Sequence, residues 1–84
     1  MNVEDIEREV RDFIARRFGH QVGELGPETS LLEGNAIDSL GLLEIVMFVS
    51  ERFGVEVSDD DFLPENFETP ARIATLVAGR AASQ

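Results

Sequence analysis

Cysteine and lysine are absent from this 84-residue sequence, and histidine occurs once. The lack of cysteine excludes disulfide bonds, thiolate zinc sites and thiol nucleophiles. The longest uninterrupted apolar stretch, residues 45–49, is far too short to cross a bilayer. Residues 1–11 mix charges and contain no apolar run of the kind that a signal peptide has. We therefore expect a cytoplasmic protein that does not enter a membrane.

Acidic side chains dominate the charge that is present. Seventeen aspartates and glutamates oppose seven arginines, which gives a net charge of −10 at pH 7. Such a surface repels nucleic acids and anionic membranes, whereas it attracts basic proteins and speeds their docking. The same charge would also keep a small protein soluble without any partner. Charge alone leaves both interpretations open.

Apolar periodicity predicts an all-α protein, a small four-helix bundle of three principal helices plus one short helix. With 43% apolar residues, residues 1–84 fit a single domain with one modest core. Glycines at positions 19, 54 and 79 are expected to end the three principal helices. The predicted segments are helix 3–18, a long loop 19–38, helix 39–53, a short helix at about 59–66 and a last helix at about 70–78.

The second predicted helix has more apolar residues than one buried stripe can hold. At roughly 100° per residue, one side is formed by Leu42, Ile45, Val46, Val49 and Phe53. A second apolar side lies more than about 90° of arc away and is flanked by acids. Its apolar members are Leu40, Leu43 and Met47, and the flanking acids are Glu44 and Glu51. We expect this second side to face a partner protein.

Asp38 and Ser39 stand directly before the apolar run of this helix, and such a pair is common at helix starts for capping reasons alone. Catalysis by Ser39 is not expected, because His20 has no orienting partner in view and the Gly-x-Ser-x-Gly elbow is missing. A phosphate ester on Ser39 would instead sit at the positive end of the helix, where backbone N–H groups favour an anion. The three aspartates at 59–61 fit a helix start rather than a metal-binding loop.

The chain resembles an acyl carrier protein over nearly its whole length. The resemblance rests on the Asp38-Ser39-Leu40 stretch, on the apolar and acidic helix that follows it, on the long loop that precedes it and on the order of the helices. The resemblance implies a carrier without catalytic residues. It also implies that Ser39 carries 4'-phosphopantetheine, added from coenzyme A by a phosphopantetheinyl transferase, with Asp38 beside the attachment point. The thiol of this arm would then hold an acyl or aminoacyl group as a thioester.

The resemblance also assigns a docking role to the second side of the helix. Its apolar residues match the positions that meet partner enzymes, and its acids match recognition positions. Expected partners are the transferase, acyl- or aminoacyl-loading enzymes and downstream synthases or transferases, with the carrier acting as a monomer. Apolar cargo would have room to fold back between helices if Leu31, Val46 and Phe62 line a space there.

Two segments next to the serine differ from the pattern common in fatty-acid carriers, which points away from a housekeeping role. Asn35-Ala36-Ile37 stands before the motif in place of Leu-Gly-x, and Gly41-Leu42-Leu43 stands after it in place of a more polar segment. Together with the downstream segment 64–67, they look more like free-standing carriers of secondary metabolism, such as polyketide synthesis, or of aminoacyl transfer. An aminoacyl or peptidyl carrier is therefore one alternative. An acidic helical interaction module without a prosthetic group is the other.

Overall fold

A computed structural model describes residues 2–83, which form three α-helices and three short 3₁₀ turns and contain no strand. The predicted all-α fold class is confirmed. The helices are α1 (Val3–Val22), α2 (Ser39–Phe53) and α3 (Pro70–Ser83). The 3₁₀ turns lie at Glu33–Asn35, Asp59–Asp61 and Pro64–Asn66.

The predicted short helix over residues 59–66 is two separate 3₁₀ turns, so the described chain has three α-helices rather than four. Pro64 has no N–H group, and its ring disfavours the helical conformation in the residue before it. Leu63 accordingly has an extended backbone, with φ −114° and ψ 142°. This residue separates the two turns and prevents a continuous helix.

Two of the three glycines expected to end helices do not do so. α1 continues past Gly19 to Val22, and the break at this point is a kink at Phe18, where φ is −126° and ψ is 18°. The helix ends where Gly23 adopts a φ of 66° and donates its N–H to the Gly19 carbonyl at 3.0 Å. A glycine ends a helix only when it leaves the helical conformation, usually with positive φ.

Gly54 meets this requirement, whereas Gly79 does not. Gly54 is left-handed, with φ 65° and ψ 31°, and it closes α2. α3 runs through Gly79 and on to Ser83. The segment after Gly79 is rich in alanine, which favours helix, and the Arg80 side chain is bound to Asp61. These features extend the helix beyond its predicted end at residue 78.

One hydrophobic core is shared by all three helices and by the segments between them. α2 buries the apolar side that the periodicity predicts, with Leu42, Ile45 and Val49 buried and Val46 and Phe53 partly buried. The other buried apolar residues are Ile6, Val10, Ile14, Phe18, Leu31, Ile37, Val55, Phe67, Ile73, Ala74 and Val77.

The long segment between α1 and α2 is pinned to the start of α3 by backbone hydrogen bonds. The Leu31 N–H donates to the Glu68 carbonyl at 2.7 Å, and the Ala71 N–H donates to the Pro27 carbonyl at 2.9 Å. The Ile37 N–H closes a local turn by donating to the Leu31 carbonyl at 3.1 Å. This segment therefore reaches α2 from a fixed direction.

Two ion pairs show that α1 and α2 are antiparallel. Arg17 near the end of α1 pairs with Glu44 near the start of α2, and Glu9 pairs with Arg52 near the end of α2. The C-terminal end of α1 is therefore beside the N-terminal end of α2. No helix in residues 2–83 is both long enough and apolar enough to span a membrane.

The turn at Asp59–Asp61 is tied to α3 by a buried acid, Asp61. Asp61 pairs with Arg80, and its Oδ2 accepts hydrogen bonds from the backbone N–H and the hydroxyl of Ser58. The Arg80 guanidinium lowers the pKa of the Asp61 carboxyl below its ordinary value, although burial acts in the opposite direction. The aspartates at 59–61 thus serve a helical turn and its tertiary contact.

Candidate functional site

Ser39 is the first residue of α2, and its side chain is exposed to solvent. Its hydroxyl forms no hydrogen bond with any group in the described residues, and His20 lies exposed in the last turn of α1. The serine hydroxyl is therefore accessible from solvent.

Asp38 is the N-cap of α2, as the sequence predicts. Its Oδ1 accepts a hydrogen bond from the Gly41 N–H at 2.9 Å, and its carbonyl accepts one from the Leu42 N–H at 2.9 Å. The N–H groups of Ser39 and Leu40 have no partner among residues 2–83. Two backbone donors at the positive end of the helix thus remain available next to the hydroxyl.

Gly41 fixes the position of this helix end against the core. A Cβ at this position would lie 2.7 Å from Ile37 Cγ2 and 3.2 Å from Phe18 Cε1. Real Cβ atoms essentially never approach carbon as closely as the first of these distances. The absence of a side chain at Gly41 therefore lets the first turn of α2 rest directly on two buried residues.

The second apolar side of α2 is exposed, as the sequence predicts. Leu40 is 72% exposed, Leu43 is 49% exposed and Met47 is 61% exposed. Spacings of three, four and seven place these residues along one face, starting one residue after Ser39. We call Leu40, Leu43 and Met47 the apolar strip. Exposed apolar residues that are contiguous, rather than scattered, are typical of an interaction surface.

The two acids that flank the apolar strip have different surroundings. Glu44 Oε1 accepts a hydrogen bond from Arg17 Nε at 2.9 Å and forms an ion pair with a terminal nitrogen of Arg17, also at 2.9 Å. Glu51 is exposed and belongs to none of the ion pairs in the described residues. The sequence gives no reason to distinguish the two acids. In the described residues, the charge of Glu44 is paired with Arg17, whereas Glu51 has no ion-pair partner.

A cavity of about 410 Å³ opens beside the apolar strip, between α2 and the segment that follows it. Val46 and Phe62 line this cavity, as the sequence suggests, but Leu31 does not, because it is fully buried elsewhere in the core. The other lining residues are Leu43, Val57, Ser58 and Asp59. Leu43 lies one helical turn after Ser39 on the same face, so one wall of the cavity lies a helical turn from the serine.

Sequence reasoning missed two residues of this site, Arg17 and Gly41. Arg17 pairs with a residue 27 positions away, and a pattern within one helix gives no signal of such a contact. Gly41 is unusual because glycine is unfavourable in the first turns of a well-formed helix. A glycine two residues after the serine was therefore a usable sign of close packing.

Comparison with known proteins identifies the family. Residues 8–77 match the family model described as "Phosphopantetheine attachment site". The chain is 41% identical over 56 residues to the acyl carrier protein of Nitratidesulfovibrio vulgaris strain DP4, covering 67% of this chain and 74% of that protein. It is 36% identical over 61 residues to the acyl carrier protein of Rubrobacter xylanophilus, covering 73% and 75% respectively.

A third relative, the acyl carrier protein of Solidesulfovibrio magneticus, is 34% identical over 56 residues, which cover 67% of this chain and 72% of that protein. The exposed serine hydroxyl and the two free backbone donors beside it fit the covalently attached 4'-phosphopantetheine of such proteins. On the matched family model and these relatives, this chain belongs to the acyl carrier protein family.

Proposed function

We propose that Ser39 is the residue that bears the 4'-phosphopantetheine arm, and that the chain is a discrete carrier of acyl thioesters. The observation that carries the proposal is the Ser39 hydroxyl at the start of α2, next to the apolar strip. This hydroxyl is exposed and forms no hydrogen bond within the described residues. The family explains the prosthetic group, and the geometry supports this serine as its attachment point.

The attachment step requires an accessible hydroxyl rather than a catalytic site. The Ser39 oxygen would lose its proton to a base on the transferase and form a phosphodiester with the pantetheine phosphate of coenzyme A. The phosphoanhydride bond of coenzyme A breaks, and adenosine 3',5'-bisphosphate leaves. The positive end of α2 and the N–H groups of Ser39 and Leu40 favour the resulting anion. Asp38 caps that helix end, because its Oδ1 accepts a hydrogen bond from the Gly41 N–H.

Docking would use the apolar strip, with Glu44 and Glu51 as acidic neighbours. A net charge of −10 steers a basic partner towards the carrier, and the strip supplies a small desolvated contact. Such a contact suits short-lived complexes, because a shuttle has to leave each enzyme after transfer. The flexible arm then raises the local concentration of cargo at the enzyme.

The cavity beside the strip supports an acyl rather than a purely polar cargo. Leu43, Val46, Val57 and Phe62 give it apolar walls, while Ser58 and Asp59 lie on its lining. We propose that apolar cargo on the arm enters this space between enzyme visits. The sequence departures around Ser39 further favour a free-standing carrier of secondary metabolism over a housekeeping fatty-acid carrier.

The test of the attachment site is an intact-mass measurement. The purified apo protein is incubated with coenzyme A and a broad-specificity phosphopantetheinyl transferase. The wild type and Ser30→Ala, which removes a different exposed serine, are expected to gain the mass of one arm, and Ser39→Ala is expected to gain none. An unmodified wild type would support the interaction module without a prosthetic group, and an adduct on Ser39→Ala would exclude this serine as the site.

The test of the cargo uses the holo protein with acyl-activating and aminoacyl-activating enzymes in parallel. Intact mass after loading reports which thioester forms. Acyl transfer with no aminoacyl transfer is the expected outcome. Efficient aminoacyl loading alone would instead assign an aminoacyl or peptidyl carrier.

A further inference from the structure

A groove of about 270 Å³ lies between α1 and α2 and continues the apolar strip through Met47. Phe13 of α1 and Phe48 of α2 meet in this groove with stacked rings, 4.2 Å apart and 8° from parallel. The other lining residues are Arg17, Glu44 and Glu51. The groove thus combines an apolar floor with two carboxylates and one guanidinium.

Arg17 already binds Oε1 of the Glu44 carboxylate, so this oxygen is not open to a second cation. Its Nε and one terminal nitrogen both lie 2.9 Å from Glu44 Oε1, and the Arg17 side chain remains 55% exposed. Its guanidinium carbon is also 5.4 Å from the centre of the Phe18 ring. A partly exposed ion pair of this kind can exchange partners, because its net stabilisation is small.

We propose that Arg17 is an internal competitor for Glu44, and that the groove receives a lysine or arginine side chain of the docking transferase at the Glu51 end. The proposal rests on the proposed function, since it concerns docking that leads to modification of Ser39. Charge complementarity selects the occupant. The groove has two carboxylates but only one internal cation, and its apolar floor suits the aliphatic stem of a basic side chain.

Competition between Arg17 and a partner cation for Glu44 predicts that mutations of Arg17 and Glu44 are coupled. Long-range electrostatic attraction alone does not predict such coupling. The distant field of the Glu44 carboxylate is the same whether or not Arg17 is present, so steering alone gives additive effects of mutating the two residues. A direct contact with Glu44 Oε1 is different, because Arg17 already binds this oxygen in the wild type and has to be displaced from it. Removing Arg17 therefore increases what Glu44 contributes to binding, and the two mutations become coupled.

The experiment is a double-mutant cycle on the dissociation constant for the apo carrier and the transferase. It uses the wild type, Arg17→Gln, Glu44→Gln and the double variant, with helix content checked by circular dichroism. Glu44→Gln is expected to weaken binding about threefold more in the Arg17→Gln background than in the wild type, which is the size of one exposed ion pair. Glu51→Gln is expected to weaken binding by a similar factor in both backgrounds.

Arg8→Gln is the matched control. It also removes one arginine from an exposed ion pair of α1, with Asp5, and it is expected to show no coupling to Glu44→Gln. Additive effects of Arg17→Gln and Glu44→Gln, or equal coupling with Arg8→Gln, would overturn the proposal while Ser39 is still modified. Failure of the wild type to accept the arm would refute the proposed function and this inference together.

Discussion

Replacing Gly41 by alanine tests whether the serine end of α2 is seated on the core by direct backbone contact. The new Cβ would lie 2.7 Å from Ile37 Cγ2, and Ile37 is only 4% exposed. Phe18 Cε1 would be 3.2 Å away on another side, and Phe18 is 6% exposed. Both neighbours are buried, so the methyl group can be accommodated only if the first turn of α2 or the core moves.

The expected magnitude follows from two opposing terms. Forcing an additional methyl group into a packed core costs about 1–3 kcal/mol. Alanine is a better helix former than glycine and returns about 0.5–1 kcal/mol. The free energy of unfolding of Gly41→Ala should therefore fall by up to roughly 2.5 kcal/mol. The rate of arm attachment at Ser39 should fall as well, because the serine is two residues away on the displaced turn.

Gly79→Ala is the matched control in the same chain. Gly79 also lies inside a helix, but a Cβ at this position would meet no atom within 4 Å in the part of the chain that the structure describes. Only the helix-propensity term applies, and the free energy of unfolding should rise by about 0.5–1 kcal/mol. Replacing glycine by alanine is thus predicted to lower the free energy of unfolding at position 41 and to raise it at position 79.

Urea unfolding followed by far-ultraviolet circular dichroism measures both variants, since the chain has neither tryptophan nor tyrosine for fluorescence. With a slope of about 1 kcal/mol per molar urea, the midpoint should move by up to roughly 2.5 M downward for Gly41→Ala and by roughly 0.5–1 M upward for Gly79→Ala. A Gly41→Ala protein as stable as Gly79→Ala would refute the argument that Gly41 is a contact point.

Three further predictions concern the cap, the core and the buried acid. Asp38→Ala removes the carboxylate that caps α2 and should lower the free energy of unfolding by about 1 kcal/mol, measured by urea unfolding; unchanged stability would show that the cap contributes nothing. Phe67→Ala empties a fully buried position, and thermal unfolding should reveal a loss of about 3–5 kcal/mol. Arg80 lowers the pKa of Asp61, so this contribution to stability is complete above the unfolded-state pKa of about 3.9 and is lost as the pH falls towards the lowered folded-state value. Asp61→Asn should therefore flatten the pH dependence of stability below about pH 4, and an unchanged acid profile would contradict the assigned partner.

The sequence alone determined the all-α class and the character of α2, because both depend on local patterns. Apolar spacing along one helix shows which residues share a side. A cap such as Asp38 and a left-handed glycine such as Gly54 act on their own immediate backbone. Two apolar sides on one helix also predicted the exposed strip of Leu40, Leu43 and Met47, since only one side can face a small core.

Tertiary structure decided the features that depend on distant residues. α3 stays intact through Gly79, and the ion pair between Arg17 and Glu44 exists only because α1 and α2 are antiparallel neighbours. Gly41 is required only because Phe18 and Ile37 lie beneath it. Local propensities are worth fractions of a kcal/mol, so contacts between segments far apart in the chain determine which glycines end a helix and which acids remain available.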